Sequence, residues 1–126
     1  MHRSRIGVFL IDVPGDKFDG ARSFWSGAVG VESEPEADDP DYESLGRLHS
    51  LKLFLQRTGR GTPPRVHLDI ETDDVPAEIA RLQALGATID TEHQHFTVMR
   101  DPAGLVFCVV PVQTGTDFEP NSTVWP

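Results

Sequence analysis

The order of elements restarts halfway along the chain. "TGRGTPP", Thr58 to Pro64, is the strongest linker in the sequence. The same succession reads on either side of it: a strand, an amphipathic helix, a glycine stop, then several strands. The first round opens with a strand at Ile6–Val13 and a helix near Asp19–Val29, where Ala21, Phe24, Trp25 and Ala28 recur at helical spacing. The second opens with a strand in "RVHLDIE" and a helix whose stripe is Val75, Ile79, Leu82 and Leu85, with Asp73 or Asp74 as cap and Pro76 in its first turn. Gly30 and Gly86 end the two helices. "GAVGV" (27–31) therefore corresponds to "QALGA" (83–87), and Val8 falls opposite His67 if the first loop is about three residues longer. Two copies of one supersecondary unit predict an α+β domain of two modules, each a strand, a helix and several strands.

The remaining segments fit this reading. "SEPEADDPDYES" is acidic, holds Pro35 and Pro40, and reads as a solvated loop or mobile edge. "LHSLKLFLQR" is a strand, and others follow near 88–91, 97–100 and 106–110, the last two joined by the turn "RDPAGL". The expected boundaries are module one 6–57, linker 58–64, module two 65–112 and tail 113–126, within one domain spanning 1–126.

Strand alternation divides the side chains into two faces. Phe9, Ile11, Val13, Leu51, Leu53, Leu55, Leu68, Ile70, Phe107 and Val109 form one face, expected beneath the helices. The other carries Val8, Leu10, Asp12, Lys52, Phe54, Gln56, His67, Asp69, Glu71, Val106, Cys108 and Val110. Nearly every ionisable strand residue falls on this second face, and apolar walls with a few polar groups suit a small-molecule site. His67, with Asp69 and Glu71 on its own strand to orient it, is the candidate proton-transfer group. Val8, Asp12, Lys52, Phe54, Gln56, His67 and Cys108 are the candidate ligand contacts, with Tyr42, Phe96 and Trp125 as further aromatic walls. Plainer roles also suit these residues: Asp12 neutralising Lys52, Cys108 an inert thiol, His93 and His95 in a solvated loop.

Composition narrows the partners. A net charge of −9 repels phosphate backbones, so nucleic acid is not expected. No basic cluster or apolar run of membrane length occurs. The apolar run behind the basic start stops at Asp12, too soon for a secretory signal, and the one cysteine has no internal disulfide partner. A cytoplasmic protein is expected.

With the duplicated order in hand, "ARSFWSGAVGV", "HLDIETDDVPAEIARLQALGA" and "VMRDPAGLVFCVV" resemble the vicinal oxygen chelate superfamily, which includes glyoxalase I, extradiol dioxygenases and bleomycin-resistance proteins. The resemblance covers roughly Ile6 to Val112 and points to its glyoxalase-like members. It implies two βαβββ modules whose curved mixed sheets enclose a cup, and a homodimer. It also implies four metal-ligand positions, which fall here on Val8, Gln56, His67 and Cys108. Val8 cannot bind, Gln56 is a weak donor, and Cys108 stands where the family pattern has a carboxylate. No metal or other cofactor is therefore expected; if a divalent metal binds, Gln56, His67 and Cys108 are its ligands. The expected function is a small-molecule-binding protein with a degenerate metal site. A metal-dependent lyase or isomerase acting on a carbonyl compound is the alternative. A dioxygenase, needing two histidines and a carboxylate, fits worse, and a regulatory dimer has only the family's dimerising habit behind it.

Overall fold

A computed structural model describes all residues, Met1–Pro126. Its elements run β1 (His2–Pro14), α1 (Phe18–Val29), β2 (Glu34–Pro35), β3 (Tyr42–Leu48), β4 (Leu51–Thr58), then β5 (Arg65–Thr72), α2 (Val75–Ala84), β6 (Thr88–Glu92), β7 (Thr97–Arg100), β8 (Val106–Pro111), and last α3 (Phe118–Asn121) and β9 (Thr123–Trp125). The βαβββ order thus occurs twice, and parallel and antiparallel ladders together make the fold mixed α+β. Two compact units form, Phe9–His67 and Met1–Val8 with Leu68–Pro126. The divisions fall inside β1 and β5, not at the linker.

In the Phe9–His67 unit the strand order is β2-β3-β4-β1. Antiparallel β3 and β4 pair Tyr42 with Gln56 and Glu43 with Leu55. Val13, Phe18, Leu45, Leu53 and Leu55 are buried together, with Phe9, Ile11, Ala21 and Trp25 packed on them. The expected helix stripe is displaced. Phe24 is 64% exposed and meets Trp25 edge-on, while Phe18 takes the buried place. The reason lies in the helix start: from Phe18, the series 18, 21, 25 is as good a stripe as 21, 24, 25, 28, and Arg57 stacks on the Phe18 ring at 4.2 Å. The acidic stretch is also more ordered than its composition suggested. Glu43 is buried on the α1 side and accepts hydrogen bonds from Arg22 and Ser33, each 3.0 Å.

In the other unit the order is β5-β8-β7-β6, the same first-last-third-second arrangement, and β9 pairs antiparallel with the start of β1. Leu82, Met99, Phe107 and Val109 form its core, with Ile70, Val75, Ile79 and Ala87 packed on them. Asp74 caps α2 by accepting from Ala77 N at 3.0 Å. Leu85, expected in the stripe, lies just past the helix end and is 67% exposed.

Glu78 is the surprise of this unit, because a helix-face glutamate reads as solvated. It is fully buried. His2 Nε2 lies 2.6 Å from Oε2, and Arg81 donates to both oxygens, at 3.0 and 2.6 Å. Arg81 in turn stacks on Trp125 at 3.7 Å, and Trp125 Nε1 donates to Ser4 at 2.8 Å. The C-terminal segment is thereby clamped onto α2 and β1. Burial pushes the Glu78 carboxyl pKa up, but hydrogen bonds from Arg81, His2 and Ser4 outweigh it, and the pKa lies below its ordinary 4.5. A depressed carboxylate stabilises the fold in full above its unfolded value, and the contribution is lost as pH falls through the folded value. Wild-type stability minus that of Glu78→Gln, from urea midpoints, should therefore be constant near neutrality and shrink below about pH 4.5. A gap that stays flat down to about pH 3 would contradict this.

Candidate functional site

Ile70 faces the α2 core, so alternation turns Arg65, His67, Asp69 and Glu71 to the opposite face of β5. By the same argument Phe9, Ile11 and Val13 face α1 and Asp12 faces away, as do Lys52, Phe54 and Gln56 on β4. One centre on this second face lies wholly within the Phe9–His67 unit. Asp12 Oδ2 accepts from His67 Nδ1 at 2.7 Å and from Arg65 Nε at 3.1 Å. Asp12 is 1% exposed and His67 is also buried, while the Arg65 side chain is 49% exposed. A carboxylate only accepts, so the His67 proton on that side sits on Nδ1. Buried and held at Nδ1, His67 has the arrangement of an oriented acid–base group.

His67 has a partner that was not expected. Asp69 and Glu71 were the expected orienting groups, and Asp12 was matched with Lys52. Asp12, 55 positions away in sequence, binds His67 Nδ1. The Lys52 ammonium lies 5.9 Å from the Phe54 ring centre. Glu71 is fully buried and engaged elsewhere: Oε1 accepts from Gln113 N (2.9 Å) and from Thr114 N and Oγ1 (3.0 Å each). Thr114 Oγ1 also lies 2.8 Å from Oε2, and Arg5 Nε is 3.3 Å from that oxygen. Glu71 therefore anchors the chain that follows β8. Arg65 was missed by the sequence reading. Its signal was its position, two residues before His67 and so on the same face.

The other expected residues are spread along the second face. Gln56 Nε2 donates to the Tyr42 hydroxyl at 3.0 Å, and Tyr42 meets the Phe54 ring edge-on at 6.4 Å, an aromatic wall on the Asp12 side of the unit. Val8 is fully buried and offers no donor. Cys108 is half-buried and pairs in register with Asp69 across the parallel β5/β8 ladder. Around that register His67, Asp69 and Cys108 offer one ligand atom each, all within 4.8 Å of one another. His93 and His95 are exposed in a loop, with His93 stacked on Phe96. Trp125 is bound to Arg81 and Ser4.

A divalent metal fits these residues in part. The four-donor arrangement implied by the resemblance fails at Val8, which has no donor atom, and at Cys108, which is no carboxylate. The imidazole, carboxylate and thiol of His67, Asp69 and Cys108 form a mixed three-donor set of the kind zinc accepts.

Comparison with known proteins agrees with this architecture. The family model described as a glyoxalase-like domain matches residues 10–110. Among solved structures, a methylmalonyl-CoA epimerase variant from Streptomyces coelicolor, in complex with 2-nitronate-propionyl-CoA, superposes with TM-score 0.56 at 17% identity, covering 85% of this chain and 93% of that one. The Mycobacterium tuberculosis methylmalonyl-CoA epimerase gives TM-score 0.56 at 16% identity, covering 86% and 87%. A Legionella pneumophila structure titled NAD-dependent benzaldehyde dehydrogenase gives 0.61 at 12%, covering 84% and 98%. At such identities the likeness is one of fold. No curated protein matches.

Proposed function

The chain belongs to the glyoxalase-like domain family, within the vicinal oxygen chelate superfamily, and from that premise we propose that it binds a small organic ligand on the second strand face, with His67 hydrogen-bonding to the ligand or exchanging a proton with it. The observation that carries this reading is the buried Asp12–His67 pair. Orienting an imidazole through a buried carboxylate is useful when the far nitrogen meets a reacting or binding group. The Tyr42–Phe54–Gln56 wall supplies the mixed apolar and polar lining that a small ligand needs. The suited chemistry is proton transfer at a carbon next to a carbonyl. The same reading takes the protein as a cytoplasmic homodimer without a resident metal. No helix is long and apolar enough to cross a membrane.

The second reading, a metal-dependent lyase or isomerase acting on a carbonyl compound, is favoured by the His67, Asp69 and Cys108 cluster. One experiment separates the two. Protein purified without a histidine tag is subjected to elemental analysis, and a panel of small carbonyl compounds is tested by thermal shift with wild type and His67→Ala. The first reading expects less than about a tenth of an equivalent of zinc, nickel or iron, and ligand shifts lost in His67→Ala with the unliganded midpoint nearly unchanged. One equivalent of metal, lost on changing His67 or Cys108, would replace it with the second. A His67→Ala protein that binds the panel normally would remove both.

A further inference from the structure

Two features of the Asp12 centre are unexplained by a bare acid–base pair. The first is Arg65. Its Nε is committed to Asp12, which leaves the Nη1/Nη2 edge of a half-exposed guanidinium with no protein partner. That edge is a planar fork matched to a carboxylate. The second is Asp12 itself. Oδ2 takes two donors, while Oδ1 is buried and has none. A buried charged acceptor without a donor is costly, and a group that supplies the donor removes that cost.

We propose that this centre takes a small carboxylate bearing a hydroxyl on the adjacent carbon, a 2-hydroxy acid, with its carboxylate on the Arg65 Nη edge and its hydroxyl donating to Asp12 Oδ1. The inference rests on the small-ligand reading above and names its substrate class. Asp12 and His67 are fixed by burial, whereas Arg65 is half-exposed, so Arg65 is the part that gives way to admit the hydroxyl. The net charge of the molecule is −9, yet the charged side chains of this face in the Phe9–His67 unit include Arg47, Lys52 and Arg65 against the carboxylates of Asp12 and Glu34. An anion is therefore attracted here although the protein as a whole repels it. A hydroxyl suits Oδ1 better than an ammonium, because a second cation would lie against the Arg65 guanidinium.

The test measures binding of L-lactate, propionate and 1,2-propanediol to the full chain by calorimetry. Lactate should bind at least about ten-fold more tightly than propionate, the ratio expected of one hydrogen bond to a charged acceptor, and the diol should not bind. Arg65→Gln should lose both acids. Asp12→Asn, which presents an amide donor where Oδ1 stood, should bring the lactate-to-propionate ratio near one; if that variant misfolds, the wild-type ratio and Arg65→Gln decide. Equal affinity for lactate and propionate overturns the proposal, as does lactate binding unchanged in Arg65→Gln. Absence of lactate binding at millimolar concentration, while compounds of the carbonyl panel bind through His67, overturns the 2-hydroxy acid and leaves the small-ligand reading standing. Absence of both overturns the two together.

Discussion

Gly7→Ala is expected to lower the unfolding free energy by about 3–5 kcal/mol, the cost of disrupting a buried charged network, although it adds a single methyl group. A Cβ at this position would lie 1.8 Å from Glu71 Oε2, 2.5 Å from Cδ and 2.9 Å from Cγ. A free glutamate end would swing aside at little cost. This one is pinned by two backbone N–H groups and the Thr114 hydroxyl, with Arg5 beside it. Moving it strips donors that are themselves buried. The control is a double-mutant cycle. In a Glu71→Ala background the obstruction is gone, so Gly7→Ala should cost less than about 1 kcal/mol there, a coupling of at least about 2 kcal/mol. Equal costs in the two backgrounds, from urea midpoints, would show that the glycine is needed for some other reason.

How far the molecule can be read from its sequence depends on the range of the interaction. The two βαβββ rounds were legible because each signal is local: a period that changes from two to three or four, and a glycine stop at Gly30 and Gly86, both at positive φ (73° and 110°). The helix-covered faces were legible for the same reason, since alternation alone places Phe9 with Leu53 in one core and Ile70 with Val109 in the other. Pairings across the faces were not. Asp12 and His67 are 55 positions apart, Glu71 and Thr114 are 43, and His2 and Glu78 are 76. Period names the side of a strand on which a carboxylate lies, and says nothing of which donor meets it. Glu71 and Asp69 share His67's own strand face, and alternation shows that much, whereas Asp12 reaches the ring from another element. The burial of Glu78 is hidden from the sequence for a related reason. Its helix position looks solvent-facing until the ends of the chain, His2 and Trp125, are laid beside it.

That distant pairing makes Asp12→Asn the sharpest test of chemistry at this centre. An asparagine can offer His67 Nδ1 either an amide oxygen or an amide N–H. With the carboxylate, the proton on that side of the ring is held on Nδ1. With the amide oxygen on Arg65 Nε and His67 Nδ1, the ring keeps its tautomer but loses the charge that stabilises the imidazolium formed when it takes a proton. The substitution is nearly isosteric, so the fold should survive, although Arg65 loses its counter-charge. If His67 transfers a proton, exchange of the α-hydrogen of a bound carbonyl compound with deuterated solvent, followed by proton NMR, should slow by about 10²–10⁴-fold in Asp12→Asn, the usual contribution of a positioned acid–base group. Asp12→Glu, which restores the charge and displaces the carboxylate, should recover part of the rate and shift its pH profile. A merely structural Asp12 would instead lower the melting temperature in both variants and leave exchange per folded molecule unchanged. Binding that persists in Asp12→Asn with no exchange in either protein would mark His67 as a recognition group for the ligand.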